Sequence, residues 1–137
     1  MSYLDILKPQ LVIDEGERNK MYVDSLGIPT IGIGHNLRDK PISKRDVQVI
    51  FEDDVADAEV GAKRLIANFD SLSDVRKSVI INMVFNLGSG GVSLFKNTIA
   101  AINEERFTEA AEQMLNSTWA AQVGDRAKRL AKQMKEG

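Results

Sequence analysis

The chain reads as an α+β protein, mainly helical, with a small β-hairpin near its N-terminus. Three observations predict this. Short strand-like runs, Met21 to Asp24 and Thr30 to Gly34, flank the turn residues Asp24-Ser25-Leu26-Gly27. From Ser43 onward, apolar residues recur at helical spacing. Val79 to Leu87 is apolar nearly all round, which marks a helix buried at the centre of a core.

Taken in order, Leu4, Leu7, Leu11, Val12 and Ile13 form a first helical face, interrupted at Pro9. Proline is accepted in a first turn, so this helix is expected to begin near Lys8. Gly16 is its stop. In the strand from Thr30 to Gly34, Ile31 and Ile33 share one face; Thr30, Gly32 and Gly34 share the other. Pro41-Ile42-Ser43 breaks the chain, and Ser43 with Asp46 resembles a capping box. A long bridging helix is expected from there to about Ile66. Ser73 opens the buried helix, which ends at Gly88-Ser89-Gly90-Gly91. Shorter helices are expected near Ser93–Glu104, Thr108–Asn116 and Asp125–Lys135.

At 137 residues this is one domain or two small lobes sharing a core. With no cysteine there is no disulfide and no thiolate metal site, which fits a reducing compartment. A net charge of -2 gives no sign of a nucleic-acid binder. The basic run Arg126 to Lys135 reads as a solvated helix face. No segment reaches the ~20 apolar residues of a membrane span. The N-terminus has no basic region and no long apolar stretch, so no secretory signal is expected.

The chemistry centres on two carboxylates. Glu15 falls at a helix C-terminus, beside Asp14 and Glu17. The negative end of the helix dipole and the neighbouring acids oppose a further negative charge, the setting a proton donor needs. Asp24 opens the hairpin turn nine positions later. A glycine stop and a hairpin can fold these two side chains across a gap, as hydrolysis of a glycosidic bond requires. Thr30 shares its strand face with two glycines, where bare backbone lets a substrate approach. Its hydroxyl can donate and accept, so it can hold an attacking water. His35, the only histidine, falls by parity with Ile31 and Ile33 and is expected to be buried and structural. Asp53, Asp54 and Asp57 lie on a helix, which cannot wrap a cation, so no metal site is expected. Asn82 and Asn86 stand one turn apart on the buried helix and need partners there or line a cleft. Phe85 between them is a core residue or a sugar platform.

These motifs resemble the phage-type lysozymes, the muramidase endolysins of tailed bacteriophages, over nearly the whole chain. The residues that carry the resemblance are Asp14-Glu15-Gly16, the spacing to Asp24, Thr30-Ile31-Gly32-Ile33-Gly34-His35, Ile81 to Asn86, Trp119, and Arg126-Ala127-Lys128-Arg129. The resemblance implies a single lysozyme-like domain over 1–137: a small hairpin lobe at about 14–58, a long connecting helix, and a helical lobe at about 68–137 on which the N-terminal residues pack. It implies hydrolysis, with inversion, of the β-1,4 bond between N-acetylmuramic acid and N-acetylglucosamine. Glu15 takes the general-acid position, Asp24 that of the carboxylate activating water, and Thr30 that of the water-positioning hydroxyl. It further implies that His35 and Asp54 pair as ions, that Arg126 faces the acid, and that Asn82 supports the site. Phe85, Asn86, Asn36, Thr98 and Gln113 fall at positions expected to contact substrate.

The short connector from Asn36 to Ser43 reduces one wall of the expected cleft. No cofactor is expected. The expected partner is bacterial peptidoglycan, met by a monomer that does not insert into the membrane. Synthesis in the host cytoplasm, then release to the wall through a separate phage membrane-pore protein, completes the reading. A lytic transglycosylase needs the glutamate but no water-activating carboxylate, so Asp24 and Thr30 argue against that rival. A non-catalytic module would be expected to have lost the acid or its partner. Use at infection, in a tail-associated enzyme, is the remaining alternative.

Overall fold

A computed structural model describes residues 2–137. Two units are distinguished, Met1–Gln48 and Val49–Gly137. In the first, helix α1 covers Tyr3–Glu15 and ends at Gly16, whose N–H donates to the Val12 carbonyl and whose φ is 74°. The helix starts earlier than Pro9 suggests. Asp5 accepts from the Ser2 N–H at 2.9 Å, nucleating a turn upstream of the proline. Pro9 removes only the bond to the Asp5 carbonyl, which an exposed helix can leave to water.

Three strands follow rather than two: β1 Arg18–Val23, β2 Pro29–Gly32 and β3 His35–Asn36, antiparallel in that order. Tyr22 pairs with Thr30 and Val23 with Pro29, with an irregularity between Arg18 and Tyr22. The strand expected to run to Gly34 stops at Gly32. Gly32 and Gly34 take φ of 68° and 65°, reversing the chain so that His35 pairs back with Ile31. Parity along one strand therefore fails beyond Gly32. His35 is half-buried, not buried, with Nε2 3.0 Å from the Lys40 carbonyl oxygen.

Helix α2, Lys44–Leu65, carries the chain from the first unit into the second; the Ser43 hydroxyl accepts from the Asp46 N–H at 3.1 Å at its start. The second unit continues with a 3-10 turn at Phe69–Ser71 and helices α3 Asp74–Ser93, α4 Lys96–Asn103, α5 Phe107–Leu115, α6 Thr118–Val123 and α7 Asp125–Glu136. Ser73 caps α3 by accepting from the Arg76 N–H at 3.2 Å. At Gly88, φ 75° and ψ 164° interrupt α3, and a further helical turn follows. Helix α6 goes beyond the sequence expectation. Its cap is Ser117, which accepts from the Ala120 N–H at 3.1 Å.

The core of the second unit gathers Val79, Ile80, Met83 and Val84 of α3, Ala101 and Ile102 of α4, Met114 of α5, and Trp119 of α6. Helix α7 adds Ala127, Leu130, Ala131 and Met134, an apolar stripe at three- and four-residue steps. Its bases Lys128, Arg129, Lys132 and Lys135 are exposed. Arg76 locks α7 at its C-terminus, donating to the carbonyls of Met134 at 2.8 Å and Lys135 at 2.9 Å. Its guanidinium also lies 3.6 Å from the centroid of the Phe107 ring. Helices α2 and α3 pack so tightly that a Cβ at Gly61 would overlap the Ser89 hydroxyl.

Candidate active site

All three residues expected to carry chemistry lie in the first unit. Glu15 is the last residue of α1 and is exposed. Its carboxyl group rests against the turn between β2 and β3: a Cβ built on Gly34 would stand 2.8 Å from Oε2 and 2.9 Å from Cδ. The bare backbone expected to admit substrate thus admits the acid itself. The sequence showed a glycine-rich run, but no local pattern shows that a helix end approaches it.

Asp24 sits at the β1–β2 turn, half-buried. Its Oδ1 accepts from the N–H groups of Leu26 at 2.8 Å and Ile28 at 2.9 Å. The backbone closes the same turn, with Asp24 N–H donating to Ile28 O and Gly27 N–H to Asp24 O, each at 3.0 Å. One carboxylate oxygen is therefore a turn acceptor with a fixed direction. Oδ2 takes no protein donor among the described residues, so it remains available to accept a proton.

Thr30, opposite Tyr22 on the sheet, is 4% exposed, the one buried residue among those described in the first unit. Its hydroxyl donates to the Ile28 carbonyl at 2.9 Å. Asp24 and Thr30 thus both bind Ile28, one at its N–H and one at its C=O. With its proton committed, the Thr30 oxygen keeps lone pairs that can accept from a water. Asn36 is engaged in its own loop: Oδ1 accepts from the Arg38 N–H at 3.0 Å and the Asp39 N–H at 2.9 Å, and Nδ2 donates to Asp39 at 2.9 Å. Arg38, then the Asn36 amide, hold the exposed Asp39 carboxyl below its ordinary range.

Most of the remaining candidates lie in the second unit, and five of them, Asn82, Phe85, Arg126, Thr98 and Gln113, line two concavities. One is lined by Phe51, Val55, Ile81, Asn82, Phe85 and Arg126. There Asn82 Oδ1 accepts from Arg126 Nε at 3.1 Å and Nη2 at 2.8 Å, fixing the guanidinium. Phe85 is 44% exposed and meets Phe51 edge-on at 6.1 Å, so it is a surface aromatic rather than a core one. Asp54 lies beyond it, lining a recess with Asp57, Val84 and Ser89. The other concavity gathers Thr98, Gln113, Phe95, Asn97 and Trp119. Asn86 accepts from the Trp119 indole N–H at 2.8 Å, so both asparagines of α3 tie that helix to another. Among the sequence's candidates, this concavity gathers Thr98 and Gln113 but neither Phe85 nor Arg126.

A helix-end acid, a turn carboxylate and a hydroxyl are residue types that glycosidases use. Comparison with known proteins agrees. Residues 13–136 match the phage lysozyme family. Two probable T4-type lysozymes of Dictyostelium discoideum are similar to the chain. One is 31% identical over 96% of this chain and 94% of its own length. The other is 32% identical over 90% of each. The pre-baseplate central spike protein of Enterobacteria phage T4 is 28% identical over 85% of this chain, within a quarter of its own length. The chain belongs to the phage lysozyme family. It is a glycosidase that hydrolyses peptidoglycan.

Proposed function

We propose that the chain cleaves the β-1,4 bond between N-acetylmuramic acid and N-acetylglucosamine with inversion at the anomeric carbon, and that it serves phage-driven lysis of the host cell. Glu15 donates its proton to the departing glycosidic oxygen as the C–O bond breaks. Asp24 accepts a proton through Oδ2 from a water that attacks the opposite face of the sugar. Thr30 accepts from that water and orients it. The observation that carries this reading is the division of labour within Asp24, one oxygen fixed by the turn and the other free. A nucleophile would bond directly to the sugar and retain configuration; an inverting base instead activates a water held between it and the sugar. Thr30, sharing Ile28 with Asp24, fits the second arrangement.

Phe85, Asn86, Thr98, Gln113 and Asn36 then contact the glycan, with Arg126, held by Asn82, in a supporting role. The protein acts as a monomer, made in the host cytoplasm and reaching the wall once a separate pore protein has opened the membrane. Digestion of purified peptidoglycan, with mass spectrometry and NMR of the first products, tests the chemistry. Reducing ends released initially as the α-anomer support it. Anhydro ends indicate a transglycosylase, and an initial β-anomer indicates retention. Similarity to a baseplate spike favours a second reading, use at infection. Detection of the protein in purified virions would support that reading over lysis.

A further inference from the structure

We propose that Gly34 is the positioning residue of the catalytic acid: its missing side chain makes the seat in which the Glu15 carboxyl lies. The inference rests on Glu15 being the acid and adds what holds it there. Glu15 ends a helix, and its long side chain is exposed. Within Met1–Gln48, among the described residues, no donor hydrogen-bonds its carboxylate. What touches it closely is the turn after β2. A Cβ at Gly34 would lie 2.8 Å from Oε2, 2.9 Å from Cδ and 3.0 Å from Cγ, separations that Cβ atoms do not sustain. Three atoms of one side chain would be displaced together. Because they are the far end of a flexible chain, the carboxyl group would move and the fold would not.

The molecule contains its own reference. Gly32 lies two residues away with φ 68°, against 65° at Gly34, so both positions ask the same of the backbone. A Cβ at Gly32 would meet nothing within 4 Å. The two glycines therefore differ in whether the added methyl reaches the acid. Gly32→Ala reports left-handed strain without touching the acid, and any crowding of substrate at its bare backbone is read in KM. Gly34→Ala reports strain plus loss of the seat. A displaced acid still binds the glycan but no longer aligns with the leaving oxygen, and misplacement of this kind acts on kcat.

The test compares Gly34→Ala, Gly32→Ala and Glu15→Gln on solubilised peptidoglycan, with kcat, KM and melting temperature measured for each. Similar melting temperatures for the two alanine variants are expected. The kcat of Gly34→Ala should fall at least about tenfold below that of Gly32→Ala, with KM within about twofold. Equal kcat for the two alanine variants would overturn the seat, while an inactive Glu15→Gln left the acid assignment standing. A fully active Glu15→Gln would remove both. If Gly34→Ala does not fold, the Glu15→Ala background decides. Removing the carboxyl should bring Gly34→Ala back to the melting temperature of Gly32→Ala in that background, and failure to recover would refute the contact.

Discussion

The two units solve opposite problems. In Val49–Gly137 every helix contributes to one apolar core, and all the buried apolar residues of the described chain lie there. Among the described residues of the first unit, Thr30 alone is buried. Yet that lightly buried unit carries both carboxylates and the hydroxyl. Its side chains are held by short-range devices: a glycine stop, an aspartate bridging its own turn, and a threonine bonded two residues back. Local bonds fix direction without requiring a core, and they leave polar groups open to solvent and substrate. Activity and stability should therefore separate between the units.

The largest separation is expected at Glu15. Glu15→Gln should lower kcat by about 10²- to 10⁴-fold, the span of general acid catalysis, with the melting temperature nearly unchanged. A comparable loss of stability would erase the contrast. Leu130→Ala, in the core of the second unit, should do the reverse. It should cost about 2–5 kcal/mol by denaturant unfolding, with residual specific activity per folded molecule preserved. Asp24 sharpens the comparison, because one residue serves both ends. Asp24→Asn keeps the Oδ1 acceptor and removes the charge, so activity should fall while the turn survives. Asp24→Ala should lose activity and, in addition, about 0.5–1.5 kcal/mol from the lost turn hydrogen bonds. Equal melting temperatures for these two variants would contradict the turn role. Thr30→Val removes the bond to Ile28, worth about 1 kcal/mol, and also the water-holding oxygen. Thr30→Ser should restore both.

The smallest effect concerns Asp39, whose carboxyl is held low by Arg38 and Asn36. A depressed carboxylate adds stability that is full above its unfolded-state range and fades as pH falls through its lower folded-state value. Asp39→Asn should therefore narrow the gap to the parent on the acid side. Melting curves over the acid range would show it, and a gap that widened on acidification would reverse the sign.

Several features were legible because their causes are local. Gly16 after Glu15, the Asp24 turn and the Ser43 cap depend on residues within a few positions of one another, and each stands in the structure as read; the helix through Val79 also stands, but it buries one face, leaves Phe85 exposed and runs past Gly88 to Ser93. Where structure and pattern part, the causes are also local. Pro9 points to a start near Lys8, but the Ser2–Asp5 cap starts α1 at Tyr3. Gly32 and Gly34 fit a strand by pattern, but their positive φ angles make a reversal there, which leaves His35 half-buried. The α6 turn at Thr118 was too short for periodicity to reveal it.

The sequence by itself determined the fold class, the family and the identity of the candidate chemical groups, because residue type and spacing specify helix ends, turns and available functional groups. Tertiary structure alone decided that the tip of Glu15 meets the bare Cα of Gly34, that Asn82 holds Arg126 and that Asn86 holds Trp119. These partners are 19 or more positions apart in the chain. Their meeting depends on how whole elements pack, an interaction set by volume and shape that no short stretch of residues encodes.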